Sequence, residues 1–139
     1  SGARLGDVHG AGRIADQVVT EADMPGLLDR ADAPHTLTSL AGFEALLRGV
    51  SVTTYGLPFY AGWGLTEDRL ETPRRGRMLT VDELVAGALI LYPRYLDPSS
   101  RELIDVETAV ALLGQWRRAN PDARLAWWQH VYRRVRRRY

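Results

Sequence analysis

The sequence contains no cysteine, so it has no disulfide framework, no thiolate metal ligand and no cysteine nucleophile. It also lacks lysine: all 18 basic residues are arginine, which excludes Schiff-base lysine chemistry and the lysine of a Walker loop. The three histidines, His9, His35 and His130, match no zinc-ligand spacing. These absences predict a protein without a bound metal ion or organic cofactor.

Long hydrophobic runs are also missing, since none approaches the roughly 18 apolar residues of a membrane-spanning helix. The chain has 139 residues, of which 45% are hydrophobic and 25% charged, so it can bury a core and is neither disordered nor fibrous. It opens on Ser1-Gly2-Ala3-Arg4, with neither an initiator methionine nor the apolar core of a signal peptide. We therefore expect it to be a piece of a longer protein.

Charge is unevenly distributed, although the net charge is only +1. Residues 124–139 carry six arginines and no acidic residue, together with several aromatic residues. This combination suits an anionic lipid surface or a nucleic acid, and equally a solvated helix whose tryptophans pack on the domain. The acidic remainder of the chain disfavours nucleic acid. The arginines considered for membrane contact are Arg133, Arg134, Arg136, Arg137 and Arg138.

Strand-like and helix-like segments alternate in the first half of the chain. Strands are predicted over 17–20, 35–39 and 50–55, and helices over 23–31 and 40–48. About one βαβ unit every 30 residues favours a parallel sheet with right-handed crossovers. Ligands bind at the carboxyl ends of the strands in such sheets, which here means Thr38-Ser39 and Tyr55-Gly56.

The rest of the chain is predicted to be loop and helix. Residues 1–15 are predicted to be loop, and helices are predicted over 84–92, 101–119 and 123–139. Thr80 and Glu83 match a capping box at the start of the first of these helices. Capping and the helix dipole therefore account for the carboxylate pair Asp82 and Glu83, and we assign it no catalytic role.

The segment Tyr55–Thr66 combines glycines with aromatic residues directly after a predicted strand. Glycine permits close backbone approach, and aromatic rings offer flat surfaces for a base or a sugar. The segment is interpreted either as a ligand loop or as a structural turn whose rings close the core. Its candidate ligand-binding residues are Tyr55, Gly56, Pro58, Phe59, Tyr60, Gly62, Trp63 and Gly64.

Hydroxyl groups and one carboxylate follow the second predicted strand. Thr38 and Ser39 precede a helix, where free N–H groups and hydroxyls can bind phosphate, but serine and threonine are also common helix caps. Glu44 lies in an otherwise apolar helix, where it could accept hydrogen bonds from a ribose or could face solvent. The sequence leaves both alternatives open.

Three segments resemble the capsular polysaccharide biosynthesis proteins that build a β-linked Kdo primer on a membrane lipid. They are HTLTSLAGFEAL (35–46), TTYGLPFYAGWGLTED (53–68) and LILYPRYLDP (89–98). The resemblance covers about residues 14–98. It implies an α/β fold: a Rossmann-like nucleotide-binding half of a GT-B glycosyltransferase, followed by C-terminal helices. The expected domains are a partial donor-nucleotide-binding domain over 1–98 and a helical extension over 99–139.

The resemblance also implies a reaction and its participants. The parent would be a retaining transferase that uses CMP-Kdo and a lipid-linked acceptor glycan, without nucleic acid. Thr38 and Ser39 would contact the CMP phosphate, Glu44 the ribose, and Tyr55–Gly64 the donor sugar or base. The location implied is the cytoplasm, with peripheral inner-membrane contact through the terminal arginines.

The chain departs from the family in lacking a His-Pro pair, since Gly10 follows His9. No carboxylate is a convincing nucleophile, so the catalytic residue is unassigned. The chain alone is therefore expected to be inactive and to bind nucleotide weakly. The alternative interpretation is a non-catalytic α/β interaction module whose basic tail docks on a membrane or a partner.

Overall fold

The computed structural model describes residues 8–19 and 23–120. The chain divides between Leu84 and Val85 into two compact units. Short helices and strands occur in both, so the α/β class is confirmed. The domain boundary expected after residue 98 stays a prediction.

The first unit is built on a three-stranded parallel sheet. Its elements are α1 (Val8–Ala11), α2 (Met24–Leu28), β1 (His35–Thr36), α3 (Leu40–Leu46), β2 (Thr53–Thr54) and β3 (Glu67–Asp68), followed by the start of α4 (Val81–Val85). The strands lie in the order β1-β2-β3, and Thr53 pairs with His35 on one side and with Glu67 on the other. The prediction of a parallel sheet is confirmed.

The core of this unit lies where α3 packs beside the sheet. Ser39 caps α3 by accepting a hydrogen bond at Oγ from the Ala41 N–H (3.2 Å). The apolar side chains buried here are Leu28, Phe43, Ala45, Leu46, Val52, Tyr60 and Ala61. Phe43 and Leu46 lie three residues apart on one face of α3, a helical spacing from which the sequence predicted this helix to within two residues of its end.

Several predictions for the first unit are wrong. Residues 17–19 form no strand, and Thr20 lies outside the described residues. Val18 and Val19 are exposed there, and β-branched residues favour strands only when they pack against neighbours. Residues 1–15, predicted to be loop, include the short helix α1. β3 was not predicted, because acidic residues are uncommon in strands.

The connection between β2 and β3 contains no helix. The segment Tyr55–Thr66 itself forms the crossover, which is about the shortest length that can join parallel strands. The regular βαβ alternation predicted from the sequence therefore holds for β1-α3-β2 and stops there. The strands predicted over 35–39 and 50–55 are present but shorter than predicted, since β1 and β2 have two residues each.

The second unit contains a π-helix (Ala86–Leu91), β4 (Tyr95–Leu96), β5 (Leu103–Ile104) and α5 (Val106–Ala119). β4 and β5 pair antiparallel. The helix predicted over 84–92 is thus an α-helical start followed by a π-helix. The helix predicted over 101–119 begins five residues late, because Asp105 caps it by accepting from the Thr108 N–H (2.7 Å). The helix predicted over 123–139 lies outside the described residues.

No helix within residues 8–19 and 23–120 combines the length and the apolar character that crossing a membrane requires.

The capping box of α4 gives a pH-dependent prediction. The Thr80 N–H donates to the Glu83 carboxylate (2.8 Å), and the Glu83 N–H donates to Thr80 Oγ1 (3.2 Å). The first of these hydrogen bonds is the main cause that lowers the pKa of Glu83, with Arg77 assisting. A lowered folded-state pKa means that the cap is complete above the ordinary pKa of 4.5 and is lost as the pH falls through the folded-state value.

We therefore expect the Thr80 amide resonance to titrate with a midpoint below 4.5. The measurement is an NMR pH titration, with Glu83→Gln as the variant in which this titration disappears. A midpoint at or above 4.5 would show that the carboxylate does not hold the Thr80 amide.

Candidate functional site

The carboxyl ends of β1 and β2 bring two predicted ligand segments together. The two strands are parallel neighbours, so the loops that follow them leave the sheet at the same edge. The Tyr55 N–H donates to the Thr36 carbonyl (2.8 Å). Gly56 approaches the first loop so closely that an added Cβ would lie 2.7 Å from the Leu37 carbonyl oxygen. The structure therefore places Thr38, Ser39, Tyr55 and Gly56 at one edge of the sheet.

Ser39 serves as a cap and retains a free donor. Its oxygen accepts from the Ala41 N–H, and its own N–H donates to Thr36 Oγ1 (3.1 Å). A serine hydroxyl that accepts one hydrogen bond can still donate its proton. Ser39 and Thr38 are both exposed, so both hydroxyls are available to an anionic oxygen at this edge.

Glu44 lies on α3, about 6 Å further along the helix axis than Leu40. It is half-buried, between the two extremes considered from the sequence. Side chains on a helix lean toward its N-terminus, which directs a long side chain such as Glu44 back toward the edge that carries Ser39. Its role toward a ligand stays a prediction.

The aromatic loop is partly core. Tyr60 is fully buried, and its hydroxyl donates to the Ser39 carbonyl (2.5 Å). Burial raises the pKa of Tyr60, although a hydrogen bond with the Thr36 side chain opposes the shift. The rings of Phe43, Phe59 and Tyr60 form a cluster, with centroids 5.0 Å apart for Phe43–Phe59 and 5.3 Å for Phe59–Tyr60. Pro58 is buried as well.

Other side chains of the same loop face outward. Tyr55 and Phe59 are 46% and 41% exposed, and the Tyr55 hydroxyl lies 3.1 Å from His35 Nδ1. Trp63 is half-buried, and its indole N–H donates to the Phe59 carbonyl (2.8 Å). The two interpretations of the loop thus apply to different residues: Tyr60 and Pro58 close the core, while Tyr55 and Phe59 leave part of their ring surface exposed.

Asp68 holds the far end of the loop, and sequence reasoning assigned it no role. Its Oδ2 accepts from the Gly62 N–H (2.7 Å), while its Oδ1 accepts from the hydroxyls of Thr54 (2.7 Å) and Thr66 (2.6 Å). The one feature of the sequence that could have indicated Asp68 is its place as the last residue of the segment TTYGLPFYAGWGLTED.

Arg75 holds the middle of the loop and was also missed. Its Nη1 donates to the carbonyls of Pro58 (2.5 Å) and Ala61 (2.8 Å), and its guanidinium lies 5.7 Å from the centre of the Trp63 ring. In the sequence it is one of several arginines in a basic stretch, with nothing to separate it from Arg74.

None of Thr38, Ser39 and Glu44 lines either of the described cavities. An open cavity of about 510 Å³ in the first unit is lined by Gly62, Glu71, Thr72, Pro73 and Arg75. A second, of about 290 Å³, lies in the second unit. Where side chains are described, no three His, Asp or Glu groups converge to hold a metal ion. The terminal arginines considered for membrane contact lie outside the described residues.

Comparison with known proteins gives a family. The sequence profile described as capsule polysaccharide biosynthesis protein matches residues 11–95. The capsule polysaccharide modification protein LipA of Neisseria meningitidis serogroup A is 54% identical over 115 residues, which is 81% of this chain and 16% of LipA. The lipopolysaccharide-processing protein LpsZ of Rhizobium meliloti is 53% identical over 91 residues, or 66% of this chain and 21% of LpsZ. The chain therefore spans only a small part of the length of these relatives.

Two solved structures are also similar. The β-Kdo 2,7 transferase of Thermosulfurimonas dismutans KpsC is 44% identical, with a TM-score of 0.71, over 76% of this chain and 36% of that one. The β-Kdo 2,4 transferase of the same KpsC is 41% identical, with a TM-score of 0.61, over 65% of this chain and 28% of that one. Both structures are therefore similar to this chain in sequence as well as in fold.

Proposed function

Since the chain belongs to the capsule polysaccharide biosynthesis protein family, we propose that it is part of a retaining β-Kdo transferase that uses CMP-Kdo. The transferase extends a poly-Kdo linker on a lipid-linked acceptor glycan. The sheet of the first unit belongs to a Rossmann-like, donor-nucleotide-binding half of a GT-B enzyme. The observation that carries the proposal is the edge where the β1 and β2 loops meet, in a chain that is 44% identical to a Kdo transferase.

The residues at this edge have chemistry that suits a sugar nucleotide. The exposed hydroxyls of Thr38 and Ser39 donate to the phosphate of CMP, at the point where parallel sheets bind phosphate groups. The Glu44 carboxylate accepts from the ribose hydroxyls. The outward-facing rings of Tyr55 and Phe59 supply flat apolar surface for the base or the sugar. The group that assists departure of CMP remains unassigned among the described residues.

Transfer to a lipid-linked acceptor places the enzyme at the cytoplasmic face of the inner membrane. The five terminal arginines, Arg133, Arg134, Arg136, Arg137 and Arg138, would supply peripheral contact with anionic lipid.

Ser39→Asp tests the phosphate contact without removing the helix cap. Aspartate caps as well as serine does, so the stability of α3 is expected to persist, whereas its negative charge repels the CMP phosphate. Glu44→Gln removes the carboxylate proposed to bind ribose. Hydrogen bonds to charged groups are worth about 1.5–3 kcal/mol, so we expect either change to raise KM for CMP-Kdo about tenfold or more in the complete gene product.

The controls are Ser51→Asp and Glu71→Gln, which make the same chemical changes at exposed positions of the first unit outside the segments proposed to bind the donor. Unchanged KM in both site variants would place the donor elsewhere. Absence of Kdo transfer from CMP-Kdo by the unmodified gene product would reject the proposed function and favour the interaction-module alternative.

A further inference from the structure

The loop Pro58–Gly62 is held by two side chains that follow it in the sequence. We propose that Asp68 and Arg75 are positioning residues, which keep this loop in the shape that binds the donor. The identity of the ligand in this inference rests on the proposed function, whereas the geometry of the loop is independent of that function.

Asp68 accepts hydrogen bonds at both carboxylate oxygens, and the three donors belong to different parts of the unit. The Gly62 N–H belongs to the loop, the Thr54 hydroxyl to β2, and the Thr66 hydroxyl to the chain entering β3. Thr54 is fully buried, so its hydroxyl has no water to bind in place of Asp68. Asp68 thus fixes the position of the loop relative to the sheet edge through a single ionised group.

Asparagine at position 68 cannot reproduce this arrangement. If its carbonyl oxygen accepts from the Gly62 N–H, its NH₂ group faces the hydroxyls of Thr54 and Thr66, whose oxygens can accept but whose own protons lose the Asp68 acceptor. The Thr54 hydroxyl is buried, so the loss of this acceptor is costly and weakens the anchor. Asp68→Asn therefore tests the charge and acceptor capacity while keeping the size of the side chain.

Arg75 fixes the same loop from a second direction. One guanidinium nitrogen donates to the carbonyls of Pro58 and Ala61, which lie on either side of Phe59 and Tyr60. The guanidinium also lies over Trp63, whose indole N–H binds the Phe59 carbonyl. Phe59, one of the two rings offered to the ligand, is therefore held in place through its own backbone and through both of its flanks.

A loop fixed before the ligand arrives costs less to order on binding, so its anchors affect affinity as well as folding. The hydrogen bonds and the ring contact of the Arg75 side chain are made with Pro58, Ala61 and Trp63, and none of these three residues belongs to a strand. Removal of either anchor is thus expected to weaken donor binding more than it weakens the sheet.

The test uses Asp68→Asn and Arg75→Met, with Glu67→Gln and Arg74→Met as matched controls at the neighbouring exposed positions. Thr66→Val is a milder variant that removes one donor to Asp68, in case Asp68→Asn does not fold. The first measurement is the ¹⁹F resonance of Trp63 in the chain labelled with 5-fluorotryptophan and free of ligand. It is assigned with Trp63→Phe among the four tryptophans. The second is KM and kcat for CMP-Kdo in the complete gene product, well below the melting temperature.

We expect the Trp63 resonance to shift or broaden in the anchor variants and to stay in place in the controls. We expect KM for CMP-Kdo to rise about tenfold in Asp68→Asn and Arg75→Met with a smaller change in kcat, and to stay unchanged in the controls. An unchanged resonance in the anchor variants overturns the inference. So does a shifted resonance with unchanged KM, because the anchors would then support the loop without affecting the donor. Failure of the unmodified enzyme to use CMP-Kdo is visible without any variant, and it rejects the proposed function first.

Discussion

Phe43→Ala is expected to lower the free energy of unfolding of the first unit by about 3–5 kcal/mol, the usual cost of removing a buried phenylalanine. Phe43 is only 4% exposed and packs against Phe59 and Tyr60 in the ring cluster. Alanine leaves a cavity next to Phe59 and Tyr60. We expect the loop Pro58–Gly62 to fill it only in part, because Arg75 binds the carbonyls of Pro58 and Ala61. Urea unfolding followed by circular dichroism is the measurement.

Phe59→Ala is the matched comparison, since Phe59 belongs to the same cluster and is 41% exposed. Phe59 buries less apolar surface on folding than Phe43 does, so we expect Phe59→Ala to lower the free energy of unfolding by only about 1 kcal/mol. If the two substitutions lower the free energy of unfolding equally, Phe43 is not more deeply buried in the ring cluster than Phe59.

Gly42→Ala is expected to destabilise the first unit by about 2–3 kcal/mol, although alanine is the better helix former by about 1 kcal/mol. Gly42 is buried on α3, and a Cβ there would lie 2.8 Å from Cζ of Tyr60, well inside van der Waals contact. Tyr60 cannot retreat without giving up its hydrogen bond to the Ser39 carbonyl. The same change therefore strains the core and loosens the cap of α3.

Gly114→Ala is the control, because Gly114 lies inside α5 and the nearest atom to its added Cβ is the mobile end of Arg118, at 3.5 Å. There the helix preference acts alone, and we expect alanine to stabilise the second unit by about 0.5–1 kcal/mol. Thermal unfolding of both variants decides the matter. Alanine that is stabilising at both positions would mean that Tyr60 does not pack on Gly42.

Local patterns in the sequence were enough for α2, α3 and the type of sheet. Asp23 and Ser39 each cap a helix by accepting a backbone N–H close by in the sequence. The same kind of cap at Asp105 was missed, so the start of α5 was predicted five residues early. The strands were harder, because two-residue strands owe their existence to partners distant in the sequence. Glu67-Asp68 forms a strand beside β2, whereas residues 17–19 pair with no strand among the described residues.

The candidate site was predictable where the chain turns at the end of a strand. Thr38, Ser39, Tyr55 and Gly56 follow β1 and β2 directly, so the topology brought them together. Composition could not separate Tyr60 from Tyr55, since burial divides two rings of the same loop. Asp68 and Arg75 act on backbone atoms of that loop from six or more positions away, and no spacing in the sequence marks such contacts.

The loop Pro58–Gly62 is held by hydrogen bonds to its main chain as well as by its buried side chains Pro58 and Tyr60. Tyr60, Trp63, Arg75 and Asp68 all bind backbone atoms, either within the loop or at Ser39. The groups that Arg75 and Asp68 bind in the loop are two carbonyls and one N–H, so these hydrogen bonds do not require a particular side chain at the exposed position Phe59. The exposed side chain of the loop can therefore vary while the path of its backbone is kept.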